Sequence, residues 1–321
     1  MPERGATRLG RSESRLPDAG MPGDPGALNA REARTLFRAG LSVPTAGWSR
    51  GFTQANLLIV PEQQASELLL FAQHNPQACP VLGMLAAGEV AGPLLAGGDI
   101  RTDVGRYTVY ENGVLVAEPL HLLDWWRSDL VTLIVGCSFT FEAALQRAGI
   151  AMRHIDQQVN VPMYRTNRRA VPAGSLAGPL VVSMRPIPTD RVADAVAITA
   201  RYPAVHGAPV HVGDPSELGI ADLARPDFGD AVTLQPGDVP VFWACGVTPQ
   251  AAVMESRPAL AIGHAPGHML ITDARDTDYE VVQRPRFPCR AVSVGPISAV
   301  CAAETHGSAR HQDPRFAGVS P

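Results

Sequence analysis

Three arginines stand among polar or turn-forming residues, where a guanidinium can reach a ligand. Arg101 lies in GGDIRTD, Arg165 in NVPMYRTN and Arg185 in SMRPIP, and none of them is on a regular helix face. A guanidinium holds a carboxylate with two parallel hydrogen bonds. We therefore predict that these arginines bind an acidic substrate, with an ordinary surface or structural salt bridge as the alternative for each.

Two segments share one pattern of strand, turn and helix: LIVGCSFTFEAAL at 133–145 and VFWACGVTPQAAV at 241–253. The first N–H groups of a helix have no partner within it, so two helix starts side by side predict an anion site. The substrate-binding candidates in these turns are Gly136, Ser138, Thr140, Cys245, Gly246 and Thr248. Both threonines are predicted helix N-caps. Cys137 is a candidate nucleophile, although packing as a small buried residue is the favoured alternative.

Carboxylates and imidazoles are the candidates for proton transfer. Asp99 and Asp103 flank Arg101, whose charge predicts that they stay ionised and act as a base or an orienting group. The other candidate catalytic residues are histidines: His206, His211, His264 and His268. Proline and glycine interrupt HAPGHM, so its two histidines are not a helical metal pair. We predict no metal site, and histidines with purely structural roles are the alternative.

The residues that are missing exclude several cofactors. All 27 basic residues are arginine, which excludes a Schiff-base lysine, attachment of pyridoxal phosphate and a P-loop. The patterns GxGxxG, GxSxG and GxxxxGK[ST] are also absent. We therefore predict that the protein uses no cofactor.

Composition and charge limit the partners. Hydrophobic residues make up 45% and charged residues 18%, and the net charge of -4 gives no basic face for nucleic acid or membrane lipid. The expected partner is a small-molecule carboxylate, and a homo-oligomer is left open. The five cysteines show no CxxC spacing, which indicates free thiols in a reducing compartment and a cytoplasmic location.

Local patterns predict the elements that position these residues. An apolar run at 54–60 predicts a strand, and Pro61 begins the periodic helix EQQASELLLFAQHN. RYTVYENGVLV alternates around Asn112 and Gly113, which predicts a β-hairpin. Apolar strands that lead into helices through tight turns are typical of a parallel sheet covered on both faces.

The predicted fold class is α/β, with two domains. A three-layer α/β domain comprises residues 28–172 plus 237–275. A smaller two-layer α+β domain at 173–236, with strand, helix and strand in succession, interrupts it. Residues 1–27 are predicted to be a disordered leader and residues 276–321 a loosely ordered tail.

Several long stretches resemble the D-glutamate cyclase family, from about Arg31 to Asp273. They are GGDIRTDVGRYTVY, GCSFTFEAAL, NVPMYRTN, GPLVVSMRPIP, RYPAVHGAPVHVGDP, GIADLARPDFGD, VPVFWACGVTPQAAV and HAPGHMLITD. The resemblance implies a hydro-lyase that removes water from a small amino or hydroxy acid, the named activity being closure of D-glutamate to 5-oxo-D-proline. The residues leave cyclisation and β-elimination both open. A non-catalytic protein that binds small carboxylates is the alternative function.

Overall fold

Apolar segments and turn residues divide the chain into eleven strands and six α-helices, within the residues 20–281 that this computed structural model describes. The strands are β1 (Phe52–Pro61), β2 (Val81–Leu85), β3 (Tyr107–Glu111), β4 (Val114–Ala117), β5 (Leu130–Gly136), β6 (Met163–Arg169), β7 (Pro179–Pro188), β8 (His211–Val212), β9 (Asp238–Ala244), β10 (Ala261–His264) and β11 (Leu270–Arg275). The helices are α1 (Ala30–Arg38), α2 (Glu62–His74), α3 (Phe139–Arg147), α4 (Arg153–Asp156), α5 (Val192–Thr199) and α6 (Thr248–Ser256). In this part of the chain, no helix is long and apolar enough to cross a lipid bilayer.

The predicted β1–α2 unit and the predicted hairpin are confirmed. Pro61 ends β1 and stands directly before α2, where its missing N–H costs no hydrogen bond. β3 and β4 pair around Asn112 and Gly113, whose φ angles of 51° and 75° are those of a tight hairpin turn. These two elements depend on local sequence signals alone.

β1 is the centre of a seven-stranded sheet. Six of its strands follow the order β2-β5-β1-β10-β3-β4, and the seventh, β11, also pairs with β1. β5 pairs with one edge of β1 along its length, while β11 and β10 share the other edge. Side chains on both faces of β1 are buried. Leu58 and Val60 pack with α2 on one face, and Leu57 and Ile59 pack with loop residues on the other.

A second sheet has the order β6-β7-β9-β8, with α5 following β7. It includes β7 and β8 from the predicted 173–236 domain together with β6 and β9, which lie outside those boundaries. The chain is of the mixed α/β class, and the three-layer domain with an insert stays a prediction. Residues 1–19 of the predicted leader and 282–321 of the predicted tail lie outside the described residues.

The prediction of a parallel sheet was wrong, since every paired strand in residues 20–281 is antiparallel. A strand that is buried on both faces has a continuous apolar sequence whichever way its neighbours run. The two similar strand-turn-helix segments also belong to different sheets, because β5 is in the first sheet and β9 in the second.

The helices after β5 and β9 each contact both sheets. Phe141 and Leu145 of α3 pack with Trp243 of the second sheet, and α3 also contacts β1. Ala252 and Val253 of α6 pack in the core of the first sheet, and α6 also contacts β7 of the second. This shared packing brings the two strand ends together.

An ion-pair network fixes α1 to the first sheet. Asn29 and Glu32 form a capping box at the start of this helix. Arg38 donates two hydrogen bonds, at 2.7 and 2.8 Å, to the fully buried carboxylate of Asp103. Arg34 is also buried and donates to Asp273 at 2.9 and 3.1 Å. The candidate base Asp103 therefore has a structural contact that accounts for its burial.

We expect Asp103→Asn to lower the free energy of unfolding by about 1–3 kcal/mol, because both oxygens of the buried carboxylate accept hydrogen bonds, from Arg38, Thr102 and the N–H of Asp99, and an amide can accept at only one of its two positions. Urea unfolding measures this change. Asp129→Asn is the matched control, since Asp129 pairs with Arg127 on the surface, and we expect a change within about 0.5 kcal/mol. Equal effects of the two substitutions would contradict a structural role for Asp103.

Candidate functional site

The two strand-turn-helix segments meet in one pocket. Cys137 follows β5 and Cys245 follows β9, and both line the same cavity although their strands are in different sheets. The polar part of the wall also contains Asn56, Ser138, His206 and His264. Apolar side chains complete it, among them Phe139, Met163 and Met269. Narrow apolar pockets with a few polar groups are typical of small-molecule sites.

Backbone N–H groups in both turns lack acceptors. Among residues 20–281, neither the N–H of Ser138 nor that of Gly246 hydrogen-bonds to another protein group. Both lie at the start of a nine-residue helix that has no side-chain cap. Unpaired N–H groups and the positive end of the helix dipole favour an anion. The pocket can therefore bind a carboxylate or an oxyanion through its backbone.

The two thiols are buried and protonated. The backbone N–H of Phe139 donates a hydrogen bond to the Cys137 sulfur at 3.5 Å, and the backbone N–H of Val247 donates one to the Cys245 sulfur. Burial raises the pKa of Cys137 far above its usual range and the pKa of Cys245 to about 11. A thiol is a weak nucleophile without ionisation. The structure supports packing, rather than nucleophilic attack, as the role of Cys137.

His206 and His264 are buried in the pocket wall as neutral imidazoles. Burial lowers the pKa of each to about 4. Nδ1 of His206 lies 2.8 Å from the carbonyl oxygen of Gln77, and φ of His206 is 86°, a left-handed conformation that is costly for histidine. Nδ1 of His264 lies 2.9 Å from the carbonyl oxygen of Ala265. Both rings have a fixed orientation next to the unpaired N–H groups.

Asn56 connects the turn at Gly136 with His264, and the sequence did not lead us to predict it as a site residue. Its Nδ2 donates to the carbonyl oxygen of Gly136 at 2.8 Å, and its Oδ1 lies 3.1 Å from Nε2 of His264. Asn56 is buried in the middle of β1. Its position as a lone amide within the apolar run ANLLIV was the available signal, because a buried amide needs partners.

Arg185 supports the pocket from behind and is not in its wall. It is fully buried between the rings of Phe141 and Trp243, with its guanidinium carbon 5.5 Å from each ring centre. It donates at 2.9 Å to Glu142 and at 2.8 Å to the hydroxyl of Ser138. Burial alone would raise the pKa of Glu142, but interactions with His154 and Arg185 hold it at about 2. Arg185 therefore positions Ser138 and has no reach to a ligand.

The other predicted charged residues lie elsewhere. Arg101 pairs with Asp99 at 2.7 Å, and this contact lowers the pKa of Asp99. Arg165 stacks on the ring of Phe228 at 5.3 Å. His211 contacts the carbonyl oxygen of Asp214, and His268 contacts that of Pro266. None of Asp99, Arg101, Asp103, Arg165, His211 and His268 lines the pocket.

The two threonines are not the predicted N-caps. Ser138 and Val247 hold the cap positions, and neither Thr140 nor Thr248 caps its helix through its side chain. The hydroxyl of Thr248 accepts from the backbone N–H of Val181 at 3.1 Å instead, which ties α6 to β7. Thr248 is the first residue of α6 and Thr140 the second residue of α3, so both lie past the cap position, and within residues 20–281 the buried hydroxyl of Thr140 has no hydrogen-bond partner.

Glycine allows the close approach of both turns. A Cβ at Gly136 would lie 2.4 Å from the backbone oxygen of Ala204, and a Cβ at Gly246 would lie 2.1 Å from Nδ2 of Asn56. Each turn thus packs against the other half of the protein. The two glycines serve this contact between the halves, and their role as substrate-binding residues stays a prediction.

Comparisons with known proteins cover most of the chain. The sequence profile of a family described as D-glutamate cyclase matches residues 131–273. A protein of Mycolicibacterium gilvum named "Putative hydro-lyase" is 63% identical over 258 residues, which is 80% of this chain and 98% of that one. A protein of Corynebacterium jeikeium with a similar name is 60% identical, over 81% and 96% of the two chains.

A crystal structure of a nitrogen repressor-like protein from Methanococcus jannaschii has a TM-score of 0.31 and 9% identity, covering 75% of this chain and 97% of that one. A likeness of this size supports no argument about the fold or the site.

Substitutions of the two glycines should separate stability from binding. Gly136→Ala meets a backbone oxygen that cannot move, so we expect a loss of about 1–3 kcal/mol of stability. Gly246→Ala meets the Asn56 side chain, which can move, so we expect a smaller loss of stability and a larger loss of ligand binding. Gly23→Ala, with nothing within 4 Å, is the control. Melting temperature and ligand titration measure both effects, and identical behaviour of the first two variants would contradict this reading.

Stability should fall in mild acid. The unfolded histidines titrate near pH 6.5 and the folded His206 and His264 near pH 4, so the unfolded chain binds more protons between these values. Their contribution is present above pH 6.5 and is lost as the pH falls toward 4. Burial raises the pKa of Asp276 to about 6, which offsets one histidine in the same interval.

Urea unfolding at pH 6, 5.5 and 5 should therefore show a loss of at least about 1.4 kcal/mol per pH unit as the pH falls, the value for one net proton, to which His268 adds because burial lowers its pKa as well. Asp276→Asn removes the offset, so the slope should rise by about 1.4 kcal/mol per pH unit. An unchanged slope in this variant would show that Asp276 is ionised throughout the interval.

Proposed function

Because this chain belongs to the D-glutamate cyclase family, we propose that it is a hydro-lyase that removes water from a small amino or hydroxy acid in the pocket between the two turns. One observation carries the proposal. Backbone N–H groups of Ser138 and Gly246, without acceptors in the described part of the chain, share a pocket with the buried imidazoles of His206 and His264. D-glutamate, which closes to 5-oxo-D-proline, is the proposed substrate.

Cyclisation of D-glutamate requires two protons to leave the ammonium nitrogen and two protons to reach the departing carboxyl oxygen. The ammonium group of D-glutamate loses two protons as its nitrogen attacks the γ-carboxyl carbon and the C–N bond forms. One γ-carboxyl oxygen gains two protons as its C–O bond breaks and it leaves as water. Protons and electrons balance, so the reaction needs groups that carry protons and no oxidant or reductant.

The residues of the pocket match these needs. The attack creates a tetrahedral oxyanion, which preorganised N–H groups such as those of Ser138 and Gly246 stabilise. A neutral imidazole accepts a proton from an ammonium group and returns it later, and His206 in the wall is the proposed residue for this step. In a hydroxy acid, the same base would instead remove the α-proton before β-elimination of hydroxide.

We propose that backbone N–H groups bind the carboxylate of the substrate, whereas the sequence predicted that arginines bind it. Arg101, Arg165 and Arg185 do not line the pocket, so the backbone of the two turns is the proposed carboxylate site. Because the reaction only moves protons, we propose no cofactor or metal. Within residues 20–281, Cys79, Cys137 and Cys245 are free and buried, and they support a reducing compartment, with the cytoplasm as the proposed location.

Incubation with D-glutamate and a panel of small hydroxy acids, followed by mass spectrometry, tests the proposal. We expect one panel member to lose 18 daltons. His206→Gln should reduce kcat/KM by about 10²–10⁴, the usual contribution of a group that transfers a proton, and His264→Gln should reduce kcat/KM as well.

His74→Gln is the control, because His74 lies on the exposed side of α2, away from the pocket, and its ring hydrogen-bonds to the carbonyl oxygen of Pro172. Its turnover should equal that of the wild type. Tight binding of the panel without any loss of water would favour the non-catalytic carboxylate-binding protein. Full turnover in both pocket variants would place the reaction at another site.

A further inference from the structure

Both ring nitrogens of His264 face hydrogen-bond acceptors, and a neutral imidazole cannot donate to both. Nδ1 lies 2.9 Å from the carbonyl oxygen of Ala265, and Nε2 lies 3.1 Å from Oδ1 of Asn56. Both partners accept hydrogen bonds, whereas a neutral imidazole has a single N–H. One of the two contacts must therefore lack a proton. An imidazolium has two N–H groups and would satisfy both.

Turning the amide of Asn56 does not remove the mismatch. In the present orientation its Nδ2 donates to the carbonyl oxygen of Gly136 at 2.8 Å. The reverse orientation would give His264 a donor but would set Oδ1 against that carbonyl oxygen. Gly136 ends a strand that pairs with β1, so its carbonyl group is fixed. Either orientation of the amide leaves one acceptor facing another.

We propose that a carboxylate ligand enters this pocket together with one proton, which His264 takes up, so that an imidazolium replaces the arginine that the pocket lacks. This inference rests on the proposed function, because it takes the pocket as the ligand site. Asn56 is then the positioning residue that holds the charged ring. The proton stays on His264, since both of its N–H groups point at protein acceptors.

The surroundings of His264 explain why its protonation is coupled to binding of the ligand. Burial opposes a lone imidazolium, so the pKa of His264 is about 4 before a ligand binds. A carboxylate beside the ring would reverse this, because an opposite charge at close range favours the charged form. Within residues 20–281, the side chains that hydrogen-bond to the carbonyl oxygen of His264 are neutral, namely Thr108 of β3 and Gln250 of α6.

The other titratable groups near the ring do not take this role. His206 shares the pocket and also faces two backbone carbonyl groups, those of Gln77 and Gly136, but the charge of Arg185 opposes its protonation. His268 lies beside Arg106 and Glu118 outside the pocket wall, and its own charge would disfavour an imidazolium at His264. The thiols of Cys137 and Cys245 stay protonated at neutral pH, because burial raises their pKa.

Calorimetric titration with 5-oxo-D-proline and D-glutamate, at pH 7 in phosphate and in Tris buffer, measures the protons taken up on binding. We expect uptake of about one proton per site and an affinity that falls about tenfold per pH unit at higher pH. Nitrogen-15 NMR of labelled histidine should show one buried ring changing from neutral to doubly protonated. This measurement uses the wild-type protein, so it does not depend on whether a variant folds.

Two matched variants identify the ring. His264→Gln should abolish proton uptake and weaken binding by at least about tenfold, whereas His206→Gln should retain uptake of about one proton. Loss of 18 daltons from D-glutamate without proton uptake on binding would overturn this inference and leave the proposed function standing. Failure of every ligand in the panel to bind or react would overturn both.

Discussion

The contact between the two turns is the constraint on which the site depends. Gly136 lies against the backbone of Ala204, and Gly246 lies against Asn56, at distances that leave no room for a side chain. The strands before these turns belong to separate sheets, and the helices after them each contact both sheets. The two halves therefore join with the turns side by side, and both turns line the pocket.

A buried charge cluster holds one of these turns. Arg185 and Glu142 are both buried, and burying either one alone would be costly. Together they hold the hydroxyl of Ser138 beside the pocket. At the matching position of the other turn, Gln250 donates to the carbonyl oxygen of His264 at 3.1 Å. The same helical position thus supports a turn in one half and a histidine in the other.

Local sequence signals predicted part of the fold. The β1–α2 unit and the hairpin at Asn112 were visible because proline and Asn-Gly act within a few residues. Strand direction was not visible, because burial on both faces gives the same apolar pattern in parallel and antiparallel sheets. The similarity of the Cys137 and Cys245 segments pointed to two turns in one place, and both line one pocket.

The remaining parts of the site could not be read from the sequence. Arg165 and Arg185 stand in segments that suit a ligand, but each finds an aromatic ring within the protein, and only the fold shows this. Asn56 has no motif, since its meaning comes from the distant carbonyl group of Gly136. His206 and His264 were named as candidates together with His211 and His268, and burial in the pocket is what separates the two pairs.

A site built from backbone N–H groups and neutral imidazoles has a physical advantage over one built on arginine. The empty pocket carries no net charge, so closing it in an apolar wall costs little. The N–H dipoles of the turns keep the same direction whether or not a ligand is present, because the glycine contacts fix the turns. Charge then enters with the ligand, where a matching proton can neutralise it. The low dielectric that would penalise a permanent guanidinium instead strengthens this contact between two newly formed charges.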